Sequence, residues 1–591
     1  MARSRKNGNG NGKRLATQQS VNGAIKSICD IMRRSNCAGA LQYVPELTWI
    51  LFLRILDERE ARESEEAEAV GAPFTLSLDK PYRWQDWAAP DGWKRTELQN
   101  GASGAFFGFV NGELIPHLKK LRERPNATPR QKVLSEIFSG VDRTRIDTER
   151  NLLDVLDKVH EISAETVDPT HVFTLSQVYE GLLLKMGEKG NDGGQFFTPR
   201  EIIRAMVKVV APKIGETVYD PGCGTGGFLA QAFEHMAGPN NANIRSADQL
   251  ETLKRHTFYG REKDNAIYPI GLANLVLHNI DEPHIWHGNA LTGAETYGGL
   301  FVEAPTLHDV ILMNPPFGGK EGKDAQTRFA YKTGATQVLF LQHVIDSLKT
   351  DGRCGIVIDE GVLFRTNETA FVQTKRKLLD ECDLWCIVSL PGGVFTAAGA
   401  GVKTNLLFFT KGKPTEKIWY YDLSDIKVGK KHPFKLEHFT DFFGLLPTRG
   451  DSDRSWTLDI AARRAAARQQ AEPLRKRAET LAAEALQHRE RLKDLKKAQE
   501  PDSFEMETVL RKISEAERSA RDVNAQAQTI EDAAFDLKAV NPNAKSTEDT
   551  RTPEQLLDLI EAKGRDVAAA LAQLRLVGSE NPSDTAFGEK L

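Results

Sequence analysis

The run Asn314-Pro315-Pro316-Phe317 carries the most distinctive chemistry in this chain. It follows His308-Asp309-Val310-Ile311-Leu312-Met313, an apolar run of the kind that forms a buried strand. An exocyclic amine on a nucleobase is a poor nucleophile because its lone pair is delocalised into the ring. The Asn314 side-chain oxygen and the Pro315 carbonyl can accept its two N–H hydrogens. That would hold the lone pair toward a methyl sulfonium and place dipoles where positive charge develops. The prolines Pro315 and Pro316 fix φ and stiffen the loop. Phe317 offers a ring for a base taken out of the duplex. No ionisable general base is required, and the chemistry that fits is methylation of an amino nitrogen.

A second constellation lies upstream, in Val218-Tyr219-Asp220-Pro221-Gly222-Cys223-Gly224-Thr225-Gly226-Gly227-Phe228. A short apolar strand ends at Asp220, a glycine-rich turn follows, and Phe228-Leu229-Ala230 opens a helix. Gly222, Gly224 and Gly227 satisfy GxGxxG, which alone is weak and also fits an ordinary strand–turn–helix corner. Two features favour S-adenosylmethionine over a dinucleotide: the Asp-Pro at the strand end matches the methyltransferase pattern, and no phosphate binder is needed because this cofactor carries no pyrophosphate. An acid at the tip of the next strand should take the ribose hydroxyls, and Glu262 is the candidate. Its distance downstream implies an inserted loop near Gly238-Pro239-Asn240-Asn241. A third segment, Gln195-Phe196-Phe197-Thr198-Pro199-Arg200, precedes an expected helix from Glu201 to Val210, with Thr198 as N-cap and Pro199 at the first helical position. Its free N–H groups suit a carboxylate such as the methionyl end of the cofactor. Gly318 to Asp324 has the wrong spacing for a phosphate loop and carries no expected role.

Three stretches of different texture must position these residues. From about 20 to 165 apolar residues recur at helical spacing, as in Leu41, Val44, Leu47, Leu51 and Ile55. Trp84, Trp87 and Trp93 fall in a Pro/Gly-punctuated stretch that reads as a packed loop. From about 166 to 450 short β-branched runs alternate with helical segments, the pattern of βαβ units around a largely parallel, doubly wound sheet. From 455 to 591 the chain is rich in Ala, Glu, Arg, Lys and Leu. Leu474, Ala478, Leu481, Ala485, His488, Leu492 and Leu495 form one heptad seam. A second runs Met506, Val509, Ile513, Ala516, Ala520, Val523, Ala527, Ile530, Ala534, Leu537, and Pro501 separates the two. An antiparallel helical hairpin is expected, then a last helix from about Glu554 to Leu576.

Bulk properties narrow the setting. The 591 residues carry a formal net charge of −4, which argues against binding nucleic acid by overall positive charge. The six cysteines show neither a paired framework nor zinc spacing, so no metal is expected and a reducing cytoplasm fits. No apolar stretch reaches the roughly 20 residues of a membrane span. Residues 1–19 read as a flexible basic tail, with a phosphate-contacting arm as the second reading.

The motifs together resemble the modification (M) subunit of type I restriction–modification systems. The resemblance runs from Gly194 to Arg200 through Asp220–Leu229 and Asn314–Phe317. It continues into Gly361–Phe364, Leu390–Phe395 and Lys403-Thr404-Asn405, with the block near Ala24 to Asp57 resembling that family's N-terminal domain. It implies an α/β, Rossmann-like S-adenosylmethionine-dependent methyltransferase core between an N-terminal helical domain and a C-terminal coiled-coil hairpin. It implies N6-adenine methylation, with cofactor contacts from Gln195 to Arg200, from Thr225, Gly226 and Gly227, and from Glu262. Many relatives have Gly-Asp-x-Leu where this chain has Gly288-Asn289-Ala290-Leu291. Asn289 can hydrogen-bond the cofactor's adenine or the target, but it supplies no negative charge. After Lys413 no sizeable recognition module is evident. The expected partners are therefore DNA, a specificity (S) subunit that meets the helical tail, a second M chain and, in some systems, a restriction (R) subunit. A protein-glutamine methyltransferase and a catalytically silent assembly subunit are the competing readings.

Overall fold

A computed structural model describes residues 18–35, 37, 40–161, 198–295, 304–395, 403–429, 432–497, 503–538, 540–543 and 552–579. Residues up to Asn541 pack as one compact unit, and those from Pro542 onward form another.

The first region is helical. Helices Gln18–Arg34, Ala40–Ala69, Pro129–Ser139 and Glu149–His160 are its main elements. Every residue from Glu46 to Leu56 is buried, three turns with no solvent face, so this helix is the axis around which the others pack. Thr128 and Gln131 form a capping box ahead of Pro129, satisfying the first free N–H groups of that helix. Trp84 and Trp87 lie on a single helical turn rather than in a loop. Their rings meet edge-on at 5.9 Å and are fully buried, whereas Trp93 is half exposed.

The second region is a ten-stranded sheet: β1 Val218–Asp220, β2 Phe258–Glu262, β3 His284–Asn289, β4 Ala294–Glu295, β5 His308–Met313, β6 Leu348–Asp359, β7 Cys382–Ser389, β8 Thr404–Lys411, β9 Lys417–Asp422 and β10 Ser455–Asp459. Their order is β10-β9-β7-β8-β6-β5-β1-β2-β3-β4. Strands β3, β2, β1, β5 and β6 are mutually parallel. The far side is mixed, because β8 wedges antiparallel between β6 and β7. The chain runs outward from β1 to β3 and then returns to β5 on the other side of β1. That reversal makes the carboxyl ends of β1 and β5 the crevice where ligands bind in such sheets. The extra length between β1 and β2 is a 3₁₀ turn at Pro239–Asn241 and helix Ala247–Arg255.

Helices Ile460–Lys497 and Ser503–Ala533 form the hairpin. Ala478, Ala485 and Leu492 on one seam and Val509, Ile513, Ala516 and Ala527 on the other are buried, as the heptads require. Arg491 pairs with Glu505 at 3.0 Å near one end and Arg475 with Glu531 at 2.9 Å near the other, which makes the helices antiparallel. The base is tied to the sheet: Ile460, Phe535 and Leu537 join its core, and Leu537 N–H donates to Leu363 O at 3.1 Å. The separate helix Pro553–Ser579 exposes Leu557, Ile560, Val567 and Leu571. Among the described residues no helix is long and apolar enough to cross a membrane, and no cluster of His, Cys, Asp and Glu could hold a metal ion.

The helical region and the sheet share one apolar core, and a buried ion network crosses between them. Asp281, just before β3, accepts from Arg59 at 3.0 Å and from Arg130 at 3.1 Å, with Lys254 at 3.6 Å. Arg130 is also bidentate to Glu63, at 2.6 and 2.9 Å. The surrounding cations hold the Asp281 carboxyl below its ordinary range against the opposing effect of burial. Removing the shared acceptor leaves two buried guanidinium groups short of charge. Asp281→Ala should therefore cost about 3–5 kcal/mol, seen as a lower urea midpoint for the unit as a whole.

Candidate active site

The carboxyl ends of the parallel strands converge on one cavity. The register explains the convergence. Asp220 ends β1 level with Gly260, Glu262 ends β2 level with His287, and Asn289 ends β3 two residues further on. On the other side Tyr219 is level with Ile311, so Asn314 begins the loop just past the end of β5. Thr198, Arg200, Asp220, Gly222, Gly224, Thr225, Gly227, Glu262, Asn289, Asn314 and Pro316 all line this cavity. Pro199, Gly226, Pro315 and Phe317 do not, and Gln195, Phe196 and Phe197 lie outside the described residues.

The glycine turn is shaped for close approach. Gly226 has φ +78°, and a Cβ there would lie 3.0 Å from the Leu275 side chain. A Cβ on Gly227 would sit 2.9 Å from Ile203. The positive φ makes glycine necessary at Gly226, whereas at Gly227 the only close atom is the tip of the Ile203 side chain. Glu262 closes over the turn: one carboxylate oxygen accepts from Gly224 N–H at 2.9 Å and the other from Asp264 N–H at 2.8 Å. Lys263 N–H also bonds this carboxylate, which leaves about one of its roughly four acceptor positions for a ligand hydroxyl.

Thr198 does not cap the helix as the sequence suggested. The helix runs Arg200–Val210, Pro199 is the residue before it, and no side chain caps it. The Thr198 hydroxyl instead accepts a hydrogen bond from Asn314 Nδ2 at 3.0 Å. That contact fixes the Asn314 amide. Its Oδ1 is buried and has no hydrogen-bond partner among the described residues, a state costing about 1–3 kcal/mol unless a ligand donor restores the bond. Phe317 turns edge-on to Phe395, ring centres 5.4 Å apart.

Sequence reading missed several lining residues, among them Ile203, Arg261, Lys263, Glu321 and Phe340. Glu321 belongs to the segment set aside as an unusable phosphate loop. Nothing local to it signals that it reaches Asn289.

Two buried carboxyls face the same cavity. Burial, reinforced by the neighbouring charge of Glu262, pushes Asp220 up to about 8, although Gly222 N–H opposes the shift with a 3.2 Å bond to Oδ1. Burial also raises Glu262, against the pull of its backbone hydrogen bonds.

The strand order and the site at its switch point define a Rossmann-like methyltransferase. A family model described as N-6 DNA Methylase matches residues 171–463, and one described as HsdM N-terminal domain matches residues 21–159. The Type I restriction enzyme EcoEI methylase subunit of Escherichia coli is 35% identical over 457 residues, covering 75% of this chain and 87% of that protein. The EcoKI methylase subunit of Escherichia coli K12 is 29% identical, covering 70% and 74%. A protein from Vibrio vulnificus YJ016, solved as the modification subunit of a type I restriction enzyme, superposes with TM-score 0.65 at 32% identity, over 76% of this chain and 93% of that one. The chain belongs to the family of type I restriction enzyme methylase subunits. These matches favour neither the protein-glutamine methyltransferase nor the silent assembly subunit.

The raised Asp220 carboxyl has a stability consequence. The folded protein binds its proton more tightly than the unfolded chain, so its contribution is full below about pH 4 and is lost as pH rises toward about 8. The loss is about 1.4 kcal/mol per pH unit at most. Asp220→Asn should therefore raise the melting temperature of the unliganded protein at pH 7.5 and leave it nearly unchanged at pH 4.

Proposed function

We propose that this chain transfers a methyl group from S-adenosylmethionine to N6 of an adenine flipped out of DNA, as the methylating subunit of a type I restriction–modification complex. The observation that carries the reading is the Asn314 amide, pinned through Nδ2 by Thr198 and left with a buried, partnerless Oδ1 at the cavity. An amine donor is what that atom lacks.

The cavity suits the cofactor. Its glycine turn leaves room for backbone contact, and Glu262 can take the ribose hydroxyls. When bound, S-adenosylmethionine supplies an electrophilic methyl on a sulfonium. Thr225 and Gly227 would border its methionyl part, with Thr198 and Arg200 at the neighbouring helix start. Asn314 Oδ1 and the Pro315 carbonyl then accept the two N–H hydrogens of the target amine. This directs its lone pair out of the ring plane and stabilises the positive charge that grows on nitrogen. Pro316 borders the same space, and Phe317 is half-buried against the core beside it.

We propose the following division of labour along the chain. Residues 20–165 form the helical domain, 166–450 carry the chemistry, and 455–591 dock on other subunits. Named relatives are subunits of restriction enzymes, which supports an S subunit that selects the DNA site, a second M chain, and an R subunit where restriction accompanies modification. A cytoplasmic setting follows from that role.

In the assembled complex, Asn314→Ala should cut methyl transfer about 10²- to 10³-fold while cofactor affinity changes less than about threefold. Radiolabelled methyl incorporation and equilibrium binding separate the two, and an undiminished rate would refute the assignment. Thr198→Val should slow transfer about tenfold, the effect of losing one positioning hydrogen bond. Mapping N6-methyladenine in host DNA with and without the gene tests the substrate itself.

A further inference from the structure

Glu321 has no role in the reaction as described, yet its carboxylate lines the catalytic cavity. It is held there by construction. Residues 319–321 and 334–336 pair as a short antiparallel ladder: Glu321 N–H donates to Gly334 O at 2.9 Å and Thr336 N–H to Gly319 O at 3.1 Å. The segment between them is strapped to the end of β3. Arg328 donates to the carbonyls of Ala290 at 3.3 Å and Leu291 at 3.0 Å. Asn289 Nδ2 reaches Glu321 Oε2 at 3.4 Å, and Thr336 Oγ1 donates to Oε1 at 3.2 Å. A carboxylate offers about four acceptor positions, so these two bonds leave about half of them unused. Asn289 is less available: its Oδ1 already accepts from Leu291 N–H at 2.9 Å.

The strand order says what lies against Glu321. If the sulfonium faces Asn314 at the end of β5 and the ribose sits on Glu262 at the end of β2, the base must lie beyond the ribose. It then falls at the end of β3, where Gly288, Asn289, Ala290 and Glu321 form the wall. An acceptor-only group there fits the 6-amino group of adenine and repels a 6-oxo group.

We infer that Glu321 reads the 6-amino group of the cofactor's adenine, making the strap after the catalytic loop the specificity wall of the cofactor site. This rests on the S-adenosylmethionine reading above. Asn289 then serves as the bracket that orients the carboxylate, and the negative charge absent from the β3 end is supplied from the strap.

The test is equilibrium binding of S-adenosylhomocysteine and its deaminated analogue S-inosylhomocysteine to the full chain. The unmodified protein should prefer the amino form by at least about 50-fold, since a site built around one donor leaves an unpaired, repelled charge against the oxo form. Glu321→Gln, whose amide can turn to donate, should bind S-adenosylhomocysteine about tenfold more weakly, bind the inosyl analogue more tightly, and bring the preference within about fivefold. Glu321→Ala should also abolish most of the preference, which covers the case of one variant failing to fold. Equal weakening of both ligands in both variants would mean that the residue only tethers the strap, and would overturn the inference. Unchanged binding of both with slower methyl transfer would also overturn it, assigning Glu321 to the target base. Failure of the unmodified chain to bind S-adenosylhomocysteine at all would instead defeat the cofactor reading on which the inference stands.

Discussion

Everything at the site depends on the parallel pairing of β1 with β2 on one side and with β5 on the other. Parallel strands present all their carboxyl ends at one edge of a sheet, and the reversal at β1 opens a crevice there without any insertion. The register then spaces the side chains. Asp220, Glu262 and Asn289 step outward along one half, and Asn314 stands on the other. Asp309 reinforces the β1–β5 alignment by accepting from Thr217 N–H and Oγ1, both at 2.9 Å, and from Lys349 at 2.8 Å. A slip between these two strands would move Asn314 away from Thr198, and the amide would lose its orientation.

Much of this is legible in the amino-acid sequence because the signals are local. The turn Asp220–Gly227 needs glycine for its own backbone, and Asn314–Phe317 carries its stiffness in its prolines. The heptad seams survive as buried positions because, beyond its base, the hairpin is stabilised by its own interface. The illegible parts are those decided by distant partners. Thr198 looks like an N-cap by its neighbours, but its hydroxyl is taken by an amide 116 residues away. Glu321 reaches Asn289 only because two segments of the strap pair with each other. The β8 wedge is hidden for another reason: a strand buried on both faces reads the same in either direction.

The network around Asp281 shows a related limit. Arg59, Arg130 and Glu63 each resemble ordinary surface charges of amphipathic helices, yet the first two converge on a carboxylate of the catalytic region. The helical region is thereby bonded to the sheet through both apolar packing and fixed charge. The two regions differ in texture along the chain but share one core.

The hairpin has a mechanical consequence. Its first helix, 38 residues long, extends about 57 Å at 1.5 Å per residue, and both strands of the rod are fixed at the same end. Ile460, Phe535 and Leu537 are set into the sheet's core, and Arg463 donates to the carbonyls of Ala533 and Asp536, both at 2.9 Å. A sideways load on the far tip therefore arrives at the sheet as torque. It falls first on Leu363, bonded to Leu537, and on Tyr420 of β9, whose hydroxyl donates to Leu537 O.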